Sequence, residues 1–159
     1  MALLSFAAEI GNTHGLVMIL RQATTTDISA MHRVRLAVRE NRLSPTTHIS
    51  EHDYVAAITE LGRGWVVEVD ANIVAFAVGY KTDGNIWALF VDPQHEGRGY
   101  GKQLHAVLVD WLWTQGLDHL WLTTTPKTRA EEFYVQQGWQ RRGVTQKGEI
   151  LFELYRPDK

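Results

Sequence analysis

The residues best suited to chemistry form a glycine-rich turn near the middle of the chain, Arg98-Gly99-Tyr100-Gly101-Lys102, with Gly97 just before it. The turn lies between an apolar run that ends at Val91 and a segment whose leucines repeat at helical spacing. Glycines before a helix let the backbone approach a ligand closely, and the unpaired N–H groups at the helix start attract an anion. Because Arg98 and Lys102 add positive charge, the pattern predicts a phosphate-bearing ligand, against the alternative of a solvated basic turn.

The spacing of the glycines excludes two common nucleotide-binding patterns. The dinucleotide fingerprint needs a third glycine three residues after the second, and those places hold Lys102 and Leu104. The mononucleotide P-loop needs Ser or Thr after its lysine, and Lys102 is followed by Gln103. The next apolar run ends in Thr123-Thr124-Thr125 and lacks the acid that holds a ribose. A nucleotide-dependent oxidoreductase is therefore not expected.

Two segments of the chain resemble the GNAT superfamily of N-acetyltransferases. The turn signature of that family, Gln/Arg-x-x-Gly-x-Gly/Ala between a strand and a helix, is similar to Glu96-Gly97-Arg98-Gly99-Tyr100-Gly101. Its later Ala-x-x-Phe-Tyr-x-x-x-Gly-Phe/Trp segment is similar to the run from Ala130 to Trp139. With the order of elements, the resemblance covers about Ile19 to Arg156. Glu96 departs from the pattern, and we expect its side chain to point to solvent or to Arg98, because a diphosphate repels it.

The resemblance implies acetyl-CoA as cosubstrate, bound where the strand that ends at Val91 parts from the strand over His119–Thr123. The backbone of Phe90 and Val91 is expected to pair with the pantetheine arm, and the Val91 N–H to stabilise the oxyanion that forms as the amine attacks. Tyr134 matches the tyrosine that protonates the departing thiolate in many relatives, with core packing as its alternative role. The residues implied in cofactor binding are Phe90, Val91, Arg98, Gly99, Tyr100, Gly101, Lys102, Thr125, Arg129 and Tyr134.

The group that takes a proton from the amine is harder to assign. Many relatives have a Glu on the strand that ends here at Val91, but residues 85–90 contain no acid. Glu40, Glu68 and a water chain are the candidates, and we favour a water relay with Glu40 nearby. The acceptor pocket of the family is commonly built from the first two helices and their loop, here residues 39–43. The mixed charges of that loop suit a polar amine and suit a solvated surface equally well.

Composition limits the remaining possibilities. At 159 residues, 45% of them hydrophobic, the chain suits one domain over 18–159, with 1–17 as a mobile extension or an added edge strand. A net charge of -2 argues against a nucleic-acid partner, and no apolar run is long enough to span a membrane. The absence of cysteine excludes a thiol acyl-enzyme and favours direct transfer. His48 and His52 lack a third ligand in spacing, so no metal is expected.

Hydrophobic periodicity predicts the elements that position these residues, in the order β-α-α-β-β-β-α-β-α-β-β. This order indicates an α/β (α+β) domain with a mixed, mostly antiparallel sheet of six to seven strands and about four helices. Strands are predicted over 19–23, 65–69, 73–80, 86–91, 119–123, 139–145 and 149–156. Helices are predicted from Thr26 to about Arg39, from Ser50 to before Gly62, through Leu104 to Gly116, and from Thr128 to Gly138.

The sequence therefore predicts a cytoplasmic N-acetyltransferase that moves the acetyl group of acetyl-CoA to a primary amine, on a small molecule or a peptide, by direct transfer in a ternary complex. A non-catalytic acyl-CoA-binding or sensing module is the alternative. The missing strand Glu favours the sensor, and Tyr134 argues against it. Many relatives pair as dimers, so a homodimer is a further expectation.

Overall fold

The computed structural model describes residues 8–9, 17–38 and 49–158. Its strands are β1 (Ala8–Glu9), β2 (Met18–Gln22), β3 (Gly62–Val69), β4 (Asn72–Tyr80), β5 (Ile86–Val91), β6 (His119–Thr124), β7 (Gln140–Val144) and β8 (Ile150–Tyr155). Its helices are α1 (Ile28–Ala37), α2 (Glu51–Ala56), α3 (Tyr100–Thr114) and α4 (Arg129–Gln136). A turn of π-helix over Ala57–Leu61 extends α2 to the start of β3.

The strands of the described residues form two antiparallel sheets. The first has the order β1-β2-β3-β4-β5, and the second has the order β6-β8-β7. Seven strands of five or more residues and four helices confirm the predicted α/β class with mostly antiparallel pairing. The strands form two sheets, whereas the sequence predicted one mixed sheet. β6 is joined to the first sheet by a single parallel bridge between Trp121 and Asn85, the residue before β5.

The first sheet is buried on both faces, which explains the long apolar runs of β3 and β4. Val66, Phe76 and Val78 pack in the cluster formed with α1 and α2. Val67, Ala75 and Ala77 pack in the larger cluster, which includes α3 and the second sheet. The sheet is thus a central layer, and its β5 edge lies between the two helical layers.

The helical segment that contains α1 is capped two residues earlier than predicted, because an ion pair fixes its start. The carboxylate of Asp27 accepts a hydrogen bond from the Thr24 N–H at 2.8 Å and two from the Arg21 guanidinium at 2.7 and 2.8 Å. The cap is therefore Thr24 instead of Thr26, and a 3-10 turn over Thr25–Asp27 precedes the helix. Burial raises the pKa of Asp27, but the hydrogen bonds from Arg21 and Thr24 outweigh it and lower that pKa below its ordinary value.

The same arginine contacts Glu68, one of the candidates for the catalytic base. Nη2 of Arg21 lies 2.7 Å from Oε1 of Glu68. Glu68 is on β3, away from the β5 edge. Glu68 thus takes part in a structural ion pair and is a poor candidate for the catalytic base.

Near the amino terminus, β1 pairs with β2 through Ala8–Leu20 and Glu9–Ile19. This pairing corresponds to the edge strand that the sequence offered as an alternative, while most of the predicted extension lies outside the described residues. Within residues 8–9, 17–38 and 49–158, no helix is long and apolar enough to cross a membrane.

Gly62 offers a test of this packing. A Cβ at this residue would lie 1.8 Å from the carbonyl oxygen of Gly79 on β4, so the two strands must separate to admit it. We expect Gly62→Ala to lower the free energy of unfolding by about 1–3 kcal/mol, the usual cost of forcing atoms into a packed region.

The matched control is Gly143→Ala on β7, where an added Cβ meets nothing within 4 Å. Urea denaturation of the two variants is the measurement. Equal midpoints for Gly62→Ala and the wild type would show that the β3–β4 contact is looser than described.

Candidate active site

The site begins where β5 and β6 part. The Trp121 N–H donates to the Gly84 carbonyl at 3.1 Å, and Nδ2 of Asn85 donates to the Trp121 carbonyl at 3.3 Å. Gly84 has a φ of +79°, and a Cβ there would lie 2.5 Å from the His119 carbonyl oxygen. Glycine is thus required at the point where the two sheets meet, and the strands separate from there towards their carboxyl ends.

The outer edge of β5 carries backbone groups that its own sheet does not use. The Asp92 N–H donates to the Val74 carbonyl at 2.8 Å and so points towards β4. Because successive residues of a strand direct their backbone groups to opposite sides, the groups of Val91 and Leu89 point to the open edge. Those of Phe90 point to β4, which disagrees with the backbone pairing predicted for Phe90 and leaves the groups of Leu89 and Val91 at the open edge.

The glycine-rich turn leaves the start of α3 uncapped. Gly97 and Gly99 have φ values of +76° and +84°, and an added Cβ would meet nothing within 4 Å at either residue. No side chain caps Gly99, and the Gln103 N–H is the first to bond back, to the Gly99 carbonyl at 3.1 Å. The N–H groups of residues 100–102 therefore have no acceptor among the described residues, as an anion site requires.

A cleft of about 360 Å³ connects these features. Its walls come from the end of α1, the end of β5, the turn, the start of α3, and α4. The lining residues are Val38, Leu89, Phe90, Val91, His95, Glu96, Gly97, Gly99, Tyr100, Gly101, Lys102, Arg129, Ala130, Phe133, Tyr134, Gln136 and Gln137.

Most of the site residues predicted from sequence meet in this cleft. Arg98 and Thr125 do not line it: both are exposed, and the Thr125 carbonyl accepts a hydrogen bond from the Thr128 hydroxyl at the start of α4. Glu40 and the loop over 39–43 lie outside the described residues. Within those residues, no group of three His, Cys, Asp or Glu side chains is arranged to hold a metal ion.

Tyr134 belongs to the core and to the cleft at once. It is 6% exposed, and its ring packs against Phe133, Trp139 and Phe152. Burial raises the pKa of Tyr134 well above its ordinary value, so the hydroxyl stays protonated at neutral pH. A protonated hydroxyl on a cleft wall is able to donate a proton to a leaving group. Tyr134 thus packs in the core and also lines the cleft, and its catalytic role stays a prediction.

Glu96 pairs with a residue other than the one expected. Its carboxylate forms an ion pair with Arg129 of α4, and Arg98 does not take part. The turn brings Glu96 towards the cleft, where α4 places Arg129 on the facing wall. Glu96 therefore links the two walls, and its negative charge stays beside the predicted diphosphate site.

His105 is a supporting residue that the sequence did not single out. It is buried in α3 at 8% exposure, and its Nε2 accepts a hydrogen bond from Nε1 of Trp139 at 2.9 Å. Its ring also contacts Phe133 edge-on. Burial lowers the pKa of His105 to about 4, so the ring is neutral at pH 7. The bond ties α3 to the end of α4, which are two walls of the cleft.

A signal for this contact was present in the sequence but weak. His105 follows Leu104 in the predicted helix, and Trp139 ends the second motif. Only the three-dimensional packing shows that the two side chains meet.

Two sheets that part beside an uncapped helix start, with a buried tyrosine in the same cleft, define an acyltransferase-type α/β fold. The chain belongs to the acetyltransferase (GNAT) family, whose family model matches residues 25–139. It is therefore an enzyme of the transferase class. A comparison with curated protein sequences found no match.

Solved structures share the fold at low sequence identity. The ribosomal-protein-S18-alanine N-acetyltransferase from Escherichia coli is 20% identical with a TM-score of 0.70, over 87% of this chain and 93% of that one. The PaiA N-acetyltransferase from Thermoplasma acidophilum, in complex with coenzyme A, is 14% identical with a TM-score of 0.72, over 87% and 99%. The yncA protein from Salmonella typhimurium, with its cofactor acetyl-CoA, is 16% identical with a TM-score of 0.71, over 87% and 93%.

Glu96→Gln tests the charge beside the turn. Removing a carboxylate that faces an anion site should tighten CoA binding by about 2- to 10-fold at low salt, and less at high salt because exposed charges are screened. Isothermal titration with CoA at two salt concentrations measures the effect. Glu132→Gln, on the exposed side of α4, is the control and should leave the affinity unchanged. Weaker binding by Glu96→Gln would mean that the pair orients Arg129 for the ligand.

The buried neutral His105 predicts a pH dependence of stability. Its pKa rises from about 4 in the folded chain to 6.5 on unfolding, so the unfolded chain takes up a proton between these values. Folding stability should therefore fall as pH is lowered from 6.5 to about 4, by roughly 3 kcal/mol for a shift of this size.

Urea denaturation from pH 7 to pH 4 measures this contribution. His105→Gln should flatten the dependence, whereas His52→Gln, at an exposed residue of α2, should retain it. A dependence that is the same in His105→Gln and the wild type would contradict the account.

Proposed function

We propose that this enzyme transfers the acetyl group of acetyl-CoA directly to a primary amine in a ternary complex. The observation that carries the proposal is the cleft itself. It brings the free N–H groups of residues 100–102, the outward backbone of Val91 and the hydroxyl-bearing side chain of Tyr134 to one connected space.

Binding of the cosubstrate is assigned to the backbone. The N–H groups of residues 100–102 and the positive end of α3 suit a diphosphate, and Lys102 and Arg129 add charge at the cleft wall. The open edge of β5 at Leu89 and Val91 suits the amide groups of an extended pantetheine arm, which pairs there as a further strand does. This arrangement directs the thioester to the carboxyl end of β5.

The chemical step needs two groups besides the amine. The Val91 N–H points into the split and is placed to donate to the carbonyl oxygen as it gains charge. When the tetrahedral intermediate collapses, the carbon–sulfur bond breaks and Tyr134 gives its proton to the departing thiolate. No protein acyl intermediate is required, and the chain has no cysteine to carry one.

The base remains assigned to a water relay. Glu68 pairs with Arg21, and Glu96, the one carboxylate that lines the cleft within the described part of the chain, pairs with Arg129. The role of Glu40 beside that relay stays a prediction. The amine on a small molecule or peptide, the homodimer and the cytoplasmic location also stay predictions.

A screen for thiol release tests the transferase against the sensing module. The protein is incubated with acetyl-CoA and a panel of amines, and free CoA thiol is followed with a thiol reagent. Amine-dependent release together with mass-spectrometric detection of the acetylated amine is expected. Tight CoA binding without release for any amine would favour the sensor.

Tyr134→Phe should separate turnover from binding. Loss of the hydroxyl removes the proton donor while keeping the ring in the core, so kcat should fall by about 100-fold or more with the CoA Kd unchanged. The control is Tyr155→Phe on the exposed end of β8, which should keep wild-type kcat. A Tyr134→Phe enzyme with wild-type turnover would restrict this residue to core packing.

A further inference from the structure

A buried cation beside the cleft has two polar atoms without a partner among the residues that the structure describes. Arg35 lies in the last turn of α1 and is 8% exposed, and its Nε and Nη1 atoms are buried without a hydrogen-bond partner. Leaving a buried charged group unpaired is strongly destabilising, because the group loses its hydration and gains nothing in return. A group of this kind indicates a site that is completed by something else.

Aromatic rings cover the guanidinium but leave its Nε and Nη1 without an acceptor. The Cζ atom of Arg35 lies 5.0 Å from the ring centroids of both Trp87 and Phe90. Tyr54 packs edge-on against Trp87, and its hydroxyl forms a 3.0 Å hydrogen bond with Nδ1 of His32 and also interacts with the Arg35 guanidinium. Ring faces attract the cation but accept none of its N–H groups in the way an oxygen does. The N–H groups of Nε and Nη1 therefore remain as hydrogen-bond donors for a ligand.

Among the described residues, other arginines have carboxylate partners and Arg35 has none. Arg21 contacts Asp27 and Glu68, Arg129 contacts Glu96, and Arg141 contacts Glu131. On α2, a carboxylate oxygen of Asp53 accepts the Ser50 N–H. No ion pair of Arg35 occurs within the described residues.

Arg35 also lies next to the reaction cleft. Arg35 is not itself a lining residue, but Phe90, whose ring it covers, lines that cleft, and so does Val38, which directly follows α1. Phe90 directly precedes Val91, the residue whose N–H faces the thioester in the proposed function. A ligand group held by Arg35 would therefore lie on the α1 side of β5, close to the reacting atoms.

We propose that Arg35 binds the carboxylate of the acceptor, and that the acceptor is a primary amine carrying a carboxylate, such as a free amino acid. A planar guanidinium prefers a planar carboxylate, with which it forms parallel charge-assisted hydrogen bonds. Because the rings of Trp87 and Phe90 cover the guanidinium, a carboxylate would bind at its edge, through Nε and Nη1. The inference rests on the proposed function and adds the class of substrate.

Matched pairs of amines test the inference. The thiol-release rate is measured with phenylalanine and phenethylamine, leucine and isopentylamine, and γ-aminobutyrate and propylamine, where the members of each pair differ in the carboxylate. The wild type should prefer the acid in at least one pair. Arg35→Gln should lower kcat/KM for that acid by about 10- to 100-fold, the usual size of a lost charge-assisted hydrogen bond, and leave the matched amine unchanged.

Control variants separate recognition from packing. Arg63→Gln removes another arginine that lies over a tryptophan, 4.9 Å from the Trp111 centroid and outside the cleft, and should keep the wild-type preference. Arg35→Lys retains the charge and should recover part of the rate for the acid. A wild type without preference for any acid would overturn the inference, as would an Arg35→Gln variant that loses both members of a pair equally.

A binding measurement keeps the inference testable if no amine of the panel reacts. The NMR resonance of the Arg35 Nε–H, assigned by its loss in Arg35→Lys, is followed in the CoA complex during titration with N-acetylleucine or N-acetylisopentylamine. Movement with the carboxylate alone supports the site, even where missing thiol release counts against the transferase. A resonance that stays fixed with N-acetylleucine overturns the site, including the case in which a carboxylate of the chain already occupies it.

Discussion

The site depends on the failure of β5 and β6 to pair along their length. They meet at Asn85 and Trp121, and beyond this point no strand of the described residues pairs with the outward backbone of Leu89 and Val91. Unpaired backbone groups near a protein core are costly, so they persist where a ligand or water completes them. The open N–H groups at the start of α3 belong to the same cleft and have the same need. The structure thus places two sets of unsatisfied backbone donors at one site.

The surrounding packing keeps this split open. The first sheet is fixed between α1 and α2 on one face and α3 on the other, and the β6-β8-β7 sheet closes the larger cluster. The bond between His105 and Trp139 fixes α3 against the end of α4, so the two walls do not collapse on each other. Tyr134 lies in this packed region, so the same residue packs in the core and lines the cleft.

Much of the fold and the anion site could be predicted from the sequence, because local rules decide them. The glycine turn, the caps at Ser50 and Thr128, and the apolar runs of the sheet depend on neighbours in the chain. The start of α1 was misplaced since it depends on Arg21, which lies on a separate strand. The partner of Glu96 was missed for the same reason, because Arg129 is 33 residues away. The role proposed for Arg35 rests on the absence of an acid partner among the described residues, and sequence patterns do not record absences in space.

The central claim is that the N–H groups of Tyr100, Gly101 and Lys102 bind the diphosphate of CoA. Amide NMR of the nitrogen-15-labelled protein during titration with CoA, and separately with pantetheine, tests it most directly. The account predicts that these three amides move with CoA and stay fixed with pantetheine, which lacks the diphosphate, whereas the Val91 amide moves with both. Tight binding of CoA that leaves the three amides unmoved would contradict the account.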